Sequence, residues 1–276
     1  MKNKIKLFTT LLLTLIMVGC SSKADDIVKK AQEKVKMIED KDDKDAQLVK
    51  ILAAEMDLLI NLNDYETAKE VAEQLESSDA RNEVMDYIFK KEIKVLVKDG
   101  KYEDAKVIAK QIEDEYTRNS QMDNIFQKEI KVLVKDGKYE DAKVIAKQIE
   151  SEYTRNSEMD NIFQKEIKVL VKDGKYEDAK VIAKQIESEY TRNSEMDDIF
   201  QKEIEVLVKD GKYEDAKVIA EQIESEYFRN SEMDDILITQ FDKLYENKEF
   251  DDAKNIANQI TNDFIKSQCL RKLNKK

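Results

Sequence analysis

Residues 162–198 read IFQKEIKVLVKDGKYEDAKVIAKQIESEYTRNSEMDD, and residues 125–161 repeat them with one change, Asn161 against Asp198. Residues 88–124 and 199–235 are further copies that differ at a few places. The period is 37 residues, a length typical of stacked supersecondary units rather than of one closed core. Fainter copies flank the array. Asn63-Asp64-Tyr65-Glu66-Thr67-Ala68-Lys69 lies one period upstream and Lys248-Glu249-Phe250-Asp251-Asp252-Ala253-Lys254 one period downstream. A helical segment around Ile27–Ile38 puts Ala31 one period before Ala68.

Each unit carries two helical patterns. Tyr153, Ile162, Phe163, Ile167, Leu170 and Val171 form one apolar stripe, and Tyr176, Ala179, Ile182, Ala183 and Ile186 form another. Gly174 between them supplies the left-handed residue that ends a helix; Gly100, Gly137 and Gly211 stand in the same column. Asn63 takes that place in the first copy, and Asn247, beside Lys248, is expected to serve in the last. The column Ser77, Asp114, Ser151, Ser188, Ser225, Asn262 always offers a side chain that caps a helix start. An acidic column follows it, suited to the positive helix terminus. The spacing therefore predicts a long helix from about Glu152 to Lys172 and a shorter one from about Tyr176 to Glu187.

The turn and second helix, Gly-x-Tyr-x-x-Ala-x-x-x-Ala-x-x-Ile, resemble the tetratricopeptide (TPR) family across roughly residues 45–265. Gly137, Tyr139, Ala142, Ala146 and Ile149 match its turn glycine, aromatic, small, packing and closing positions, while Phe126 and Leu133 fall on its large first-helix positions. The unit departs in being longer than the family's roughly 34 residues, in lacking a terminal proline, and in placing Ile130 where a small residue is usual. The resemblance implies an all-α, right-handed α-solenoid of tandem helix-turn-helix repeats that binds peptides or proteins. It divides the chain into degenerate repeats at 24–87, four near-identical repeats at 88–235, and a degenerate repeat with a C-terminal cap at 236–276.

Composition agrees with helices. Charged residues are 39%, Pro and Trp are absent and Gly occurs 5 times, a mixture poor in the residues that build sheets and tight turns. Lys and Glu are interleaved as on solvated helix faces. The formal net charge of −12 repels phosphate backbones, so no nucleic acid is expected as a partner. The absence of His removes the commonest general base and the imidazole metal ligand.

At the amino terminus, Lys2, Lys4 and Lys6 precede an apolar run that ends Met17-Val18-Gly19-Cys20. A basic stretch before about a dozen apolar residues reads as an export signal, too short to span a membrane. Its end resembles the lipobox of bacterial lipoprotein precursors. That resemblance implies a signal peptide at 1–19, a lipid on Cys20, a short tether at 20–23 and anchorage in the cell envelope. Ser21 points to the outer membrane or cell surface rather than inner-membrane retention. Cys269 is then left without a disulfide partner and is expected as a half-buried residue of a short closing helix with Leu270 and Leu273.

No catalytic constellation, cofactor, metal site or small-molecule substrate is expected. Pairs such as Glu177 and Asp178 recur in every copy and read as acidic first turns of helices, and no calcium-loop spacing is present. Tyr102, Tyr139, Tyr176 and Tyr213, with Met122, Met159, Met196 and Met233, read as core packing. Under the TPR correspondence the inner face of the long helices presents Gln127, Lys131, Val134 and Lys135. The lysines recur as Lys94, Lys98, Lys168 and Lys172, while Glu205 stands beside Lys209 in the last full copy. Two readings of this basic strip stand at this point: a binding surface for an acidic peptide or other anionic partner, or a solvated face balanced by nearby glutamates. Two functions also stand: an envelope-anchored interaction scaffold, and a surface antigen or spacer of variable repeat number.

Overall fold

The computed structural model describes residues 57–73, 75 and 78–274. Cys20, the signal segment, the Ile27–Ile38 segment and Ser77 lie outside them. The fold is all-α, a solenoid-type array in which consecutive helices pair, and it divides into two compact units between Glu129 and Ile130.

In the first unit, residues 57–61 are helical and are followed by α1 (Tyr65–Ala72), α2 (Ser78–Lys98), α3 (Tyr102–Ala109) and the beginning of α4 (Glu115–Lys135). In the second, α4 continues into α5 (Tyr139–Ala146), α6 (Glu152–Lys172), α7 (Tyr176–Ala183), α8 (Glu189–Lys209) and α9 (Tyr213–Ala220). There follow α10 (Glu226–Glu246), α11 (Phe250–Gln259) and α12 (Asp263–Asn274).

Each junction has a local cause. At the end of α6, the Lys175 N–H donates to Leu170 O at 2.8 Å and the Gly174 N–H to Val171 O at 3.0 Å. These are the two bonds of a Schellman cap, which needs a left-handed residue, and Gly174 has φ +74°. A Cβ there would meet nothing, so backbone strain alone is what favours glycine. Asn63 adopts the same conformation at φ 60°. In the last copy the left-handed residue is Lys248 itself, at φ 67°. The expectation for Asn247 is corrected: it closes α10 in right-handed geometry, and its amide donates to Glu249 Oε1.

The short helix ends at Ala183 rather than near Glu187, because the Gln185 and Ile186 N–H groups tighten into bonds to Ile182 O and Ala183 O. The next long helix is capped by Ser188, whose Oγ accepts from the Thr191 N–H at 3.3 Å. Asp114 and Asn262 do the same in their copies.

The core repeats with the sequence. Phe163, Ile167, Ala179, Ala183 and Ile186 form one layer, closed by Ile199 from the following long helix, with Met159, Met196 and Tyr176 packed around it. Phe200, Ile204, Ala216, Ala220, Ile223 and Ile236 form the next layer, with Met196, Met233 and Tyr213 around it. The alanines are fully buried and let the short helix approach closely, while each large side chain removed from water contributes roughly 1.5–3 kcal/mol. Because Ile199 comes from the following copy, no single unit can complete its own layer. Tyr153 does not join the stripe: it is 86% exposed.

Candidate binding face

Most polar columns serve the fold. Arg192 Nη1 donates to Ile186 O at 2.8 Å, closing the end of the preceding short helix, and Arg118, Arg155 and Arg229 act alike. Asp234, buried, accepts from the Thr261 N–H at 2.7 Å, the Thr261 hydroxyl at 2.9 Å and the Asn262 N–H at 2.9 Å, fixing the linker before α12.

The interleaved lysines are not all solvated. Lys143 and Lys180 are buried, as is Lys106 in the first unit. Lys143 Nζ lies 2.7 Å from Glu140 on its own helix and 2.8 Å from Glu166 on α6, and 5.2 Å from the centre of the Phe163 ring. Lys180 repeats this with Glu177, Glu203 and Phe200. Burial works against the Lys143 ammonium, but hydrogen bonds to Glu140 and Glu166 outweigh it and hold its pKa above the usual lysine value. Glu177 is therefore both a first-turn acid and the outer partner of a buried ammonium. Sequence reasoning missed these lysines, although Lys180 stands one turn after Tyr176 and one before Ala183.

What remains is the exposed side of the long helices. Lys94 and Lys98 on α2, Lys131 and Lys135 on α4, and Lys168 and Lys172 on α6 are all exposed in the C-terminal halves of their helices. None of the six takes part in an ion pair among the described residues. Lysine there also complements the negative end of the helix dipole. Gln127 and Val134 are half-buried. Glu205 pairs with Lys202 at 2.9 Å rather than with Lys209, which reduces the basic character of α8.

The N-terminal halves have a different character. A cleft of about 680 Å³ opens between α6 and the start of α8, lined by Tyr153, Asn156, Asp160, Gln164, Glu187 and Thr191. Tyr116, Tyr190 and Tyr227, in the column of Tyr153, are likewise 80–85% exposed. Burial raises the carboxyl pKa of Asp160 against a hydrogen bond from the Glu187 backbone N–H, with a smaller push from the Glu187 charge; burial and Asp198 raise Glu195; burial, Asp198 and Glu224 raise Asp197.

These shifts give a pH prediction. A carboxyl whose folded pKa lies above its unfolded value favours the folded state when protonated, so stability rises as pH falls from neutrality through the folded pKa toward the ordinary carboxyl range. The urea midpoint at low protein concentration is therefore expected to rise slightly between pH 7 and about pH 5. A steady fall over that window would show that these carboxylates do not govern it.

Among the described residues no group of three or more His, Cys, Asp or Glu is placed to hold a metal ion, and no helix is long and apolar enough to cross a membrane. Cys269 is buried in α12 beside Leu270 and Leu273, and burial raises its thiol pKa.

These features define a helical-repeat protein with an open, charged face. No protein-family model matches the chain, and no curated protein matches it. Among solved structures it is similar to Ton1535 from Thermococcus onnurineus NA1 at 16% identity and a TM-score of 0.23, covering 98% of this chain and 90% of that one. A superposition this loose carries neither fold nor function across.

Proposed function

We propose that this chain is a lipoprotein of the bacterial cell envelope, anchored through Cys20, that acts as a non-catalytic protein-interaction scaffold. The observation that carries the reading is the row of exposed lysines on the long helices of the second unit, Lys131, Lys135, Lys168 and Lys172; Lys94 and Lys98 are exposed in the same way on α2 of the first unit. The surrounding arginine, aspartate and buried-lysine columns are occupied in holding the repeats together, whereas the strip is open to solvent. The partner it fits is an acidic peptide or protein segment. The anchor rests on Met17-Val18-Gly19-Cys20.

Crosslinking in cells, purification through a C-terminal tag and mass spectrometry at low and moderate salt test the scaffold. The expected result is one stoichiometric acidic partner, released by salt. Replacing Lys94, Lys131 and Lys168 with Glu should weaken its capture about tenfold or more at low salt; unchanged capture removes the strip from the reading. Cys20→Ser should abolish fatty-acid labelling and release the chain from the membrane fraction. A surface spacer is the second reading, favoured by the equivalence of successive core layers. Recovery of the lipidated chain alone would select it.

A further inference from the structure

One column of tyrosines near the start of the long helices takes no part in the core layers. Tyr153 on α6, Tyr190 on α8 and Tyr227 on α10 are 86%, 85% and 80% exposed. Their helices form through caps and buried stripes elsewhere, and tyrosine is only a middling helix former. The same column holds Asp79 in α2 without loss of the helix, and Phe264, 70% exposed, in the divergent α12. The three tyrosines stand on consecutive long helices that pack directly against one another.

Beside Tyr153 the cleft carries Glu152, Asp160 and Glu187. Asp160 is half-buried and accepts a hydrogen bond from the Glu187 backbone N–H, yet burial, with a smaller push from the Glu187 carboxylate, still raises its pKa. At the next step Asp197 meets the charges of Asp198 and Glu224 in the same way. These acids repel each other, and a cation among them would relieve that repulsion. An open aromatic face next to crowded carboxylates provides the two attractions that hold an ammonium or guanidinium group. The Tyr227 copy offers aromatic surface instead of paired acids: Phe228 replaces Thr191 and its ring meets Tyr227 edge-on, with centroids 5.7 Å apart at 78°, while Asp234 is buried and bonded to Thr261 and Asn262.

We propose that the Tyr153, Tyr190 and Tyr227 steps form a docking face for an extended basic peptide segment, with one Arg or Lys side chain seated per repeat. The occupant follows from charge and spacing. The carboxylates exclude anions, and directly packed helices lie about 8–10 Å apart. An extended chain rises about 3.3 Å per residue, so successive steps match every third residue of the peptide. The inference rests on the scaffold reading but uses the opposite end of the long helices from the lysine strip.

The test uses the full chain and a fluorescein-labelled peptide of repeated Arg-Ser-Thr triplets, followed by anisotropy. Controls are a peptide of equal composition with its arginines in one block, and a repeated Gln-Ser-Thr peptide. The spaced arginine peptide is expected to bind more tightly than either control. Combining Tyr153→Ala, Tyr190→Ala and Tyr227→Ala, which changes no charge, should weaken it about tenfold, while the three Tyr→Phe changes should stay within about twofold. Circular dichroism of the Ala variant should match the parent, as Asp79 in this column already implies. Three results overturn the proposal: no binding, equal binding by the Ala variant, or equal binding of the block peptide. The Lys94, Lys131 and Lys168 reversal should not weaken the arginine peptide. Loss of acidic-partner capture alone, or of tyrosine-dependent peptide binding alone, therefore shows which end of the face has failed.

Discussion

Removal of residues 261–276 is expected to open α10 and α11 and to make the chain self-associate. The deletion takes away α12, whose Cys269, Ile265, Leu270 and Leu273 cover Leu237, Phe241, Ile256 and Ile260. Uncovering Phe241 and Ile260 alone forfeits roughly 3–6 kcal/mol of burial. It also removes all three donors to Asp234. The contact of Lys272 with Asp242 at 2.7 Å is lost as well, but it is half-exposed and contributes little. A terminal unit with an apolar outer side is the usual route to aggregation in repeat proteins. Hydrogen exchange should show α11 losing its protection, and light scattering should show concentration-dependent association. A truncated chain that stays monomeric with unchanged exchange in α11 would mean that the preceding pair is self-sufficient. Asp234→Ala gives the milder version, leaving two linker N–H groups unbonded at about 1–3 kcal/mol.

The second large effect is at the buried lysine. Lys143→Met should destabilise the chain by about 2–3 kcal/mol, because it strands the Glu166 carboxylate, whose inner oxygen is closed to solvent and relies on this ammonium. The figure stays below that of a fully enclosed pair because the other arm, Glu140, is exposed. Adding Glu166→Leu to the variant should restore most of the loss, since a well-packed apolar pair can replace an ion pair of this kind. The molecule carries a partial form of this change: Gln240 stands where Glu129, Glu166 and Glu203 stand in other copies, and Lys217 keeps only Glu214, at 2.8 Å. A cycle of urea midpoints for the two single variants and the double measures the coupling. Additive losses would show that the two groups act independently.

The period, the cap columns and the left-handed glycines were legible in the sequence, because each is a local demand of the backbone that recurs at a fixed interval. The bounds Glu152–Lys172 follow from them directly. Three features were missed for identifiable reasons. Residue type alone puts Tyr153 in the apolar stripe, yet it lies nine residues before Ile162, which at about 100° per residue is the opposite side of the helix. The buried lysines look like surface residues until their long stems and the carboxylates of the next helix are considered together. Asp234 and Arg192 reach partners 27 residues ahead and six behind, contacts that no helical periodicity displays. The binding face was legible at its lysine end only; the cleft by Tyr153 needs two helices to exist.

The layers around Ile199 and Ile236 are built from the same residues in the same order, so side-chain complementarity does not tell a copy which neighbour is its own. A chain that skips one copy during folding would form a layer as good as the native one and exclude a loop of one period. Loop closure penalises such a slip only by an amount that grows logarithmically with loop length. What restores the register is the forfeited layer itself, together with the divergent last copy, where Lys272 pairs with Asp242 and the Thr261 hydroxyl, in a column that holds Glu150, Glu187 and Glu224 elsewhere, donates to Asp234. Refolding from denaturant should therefore show slipped, slowly correcting species, and their share should shrink when one central copy is recoded with a different set of core side chains.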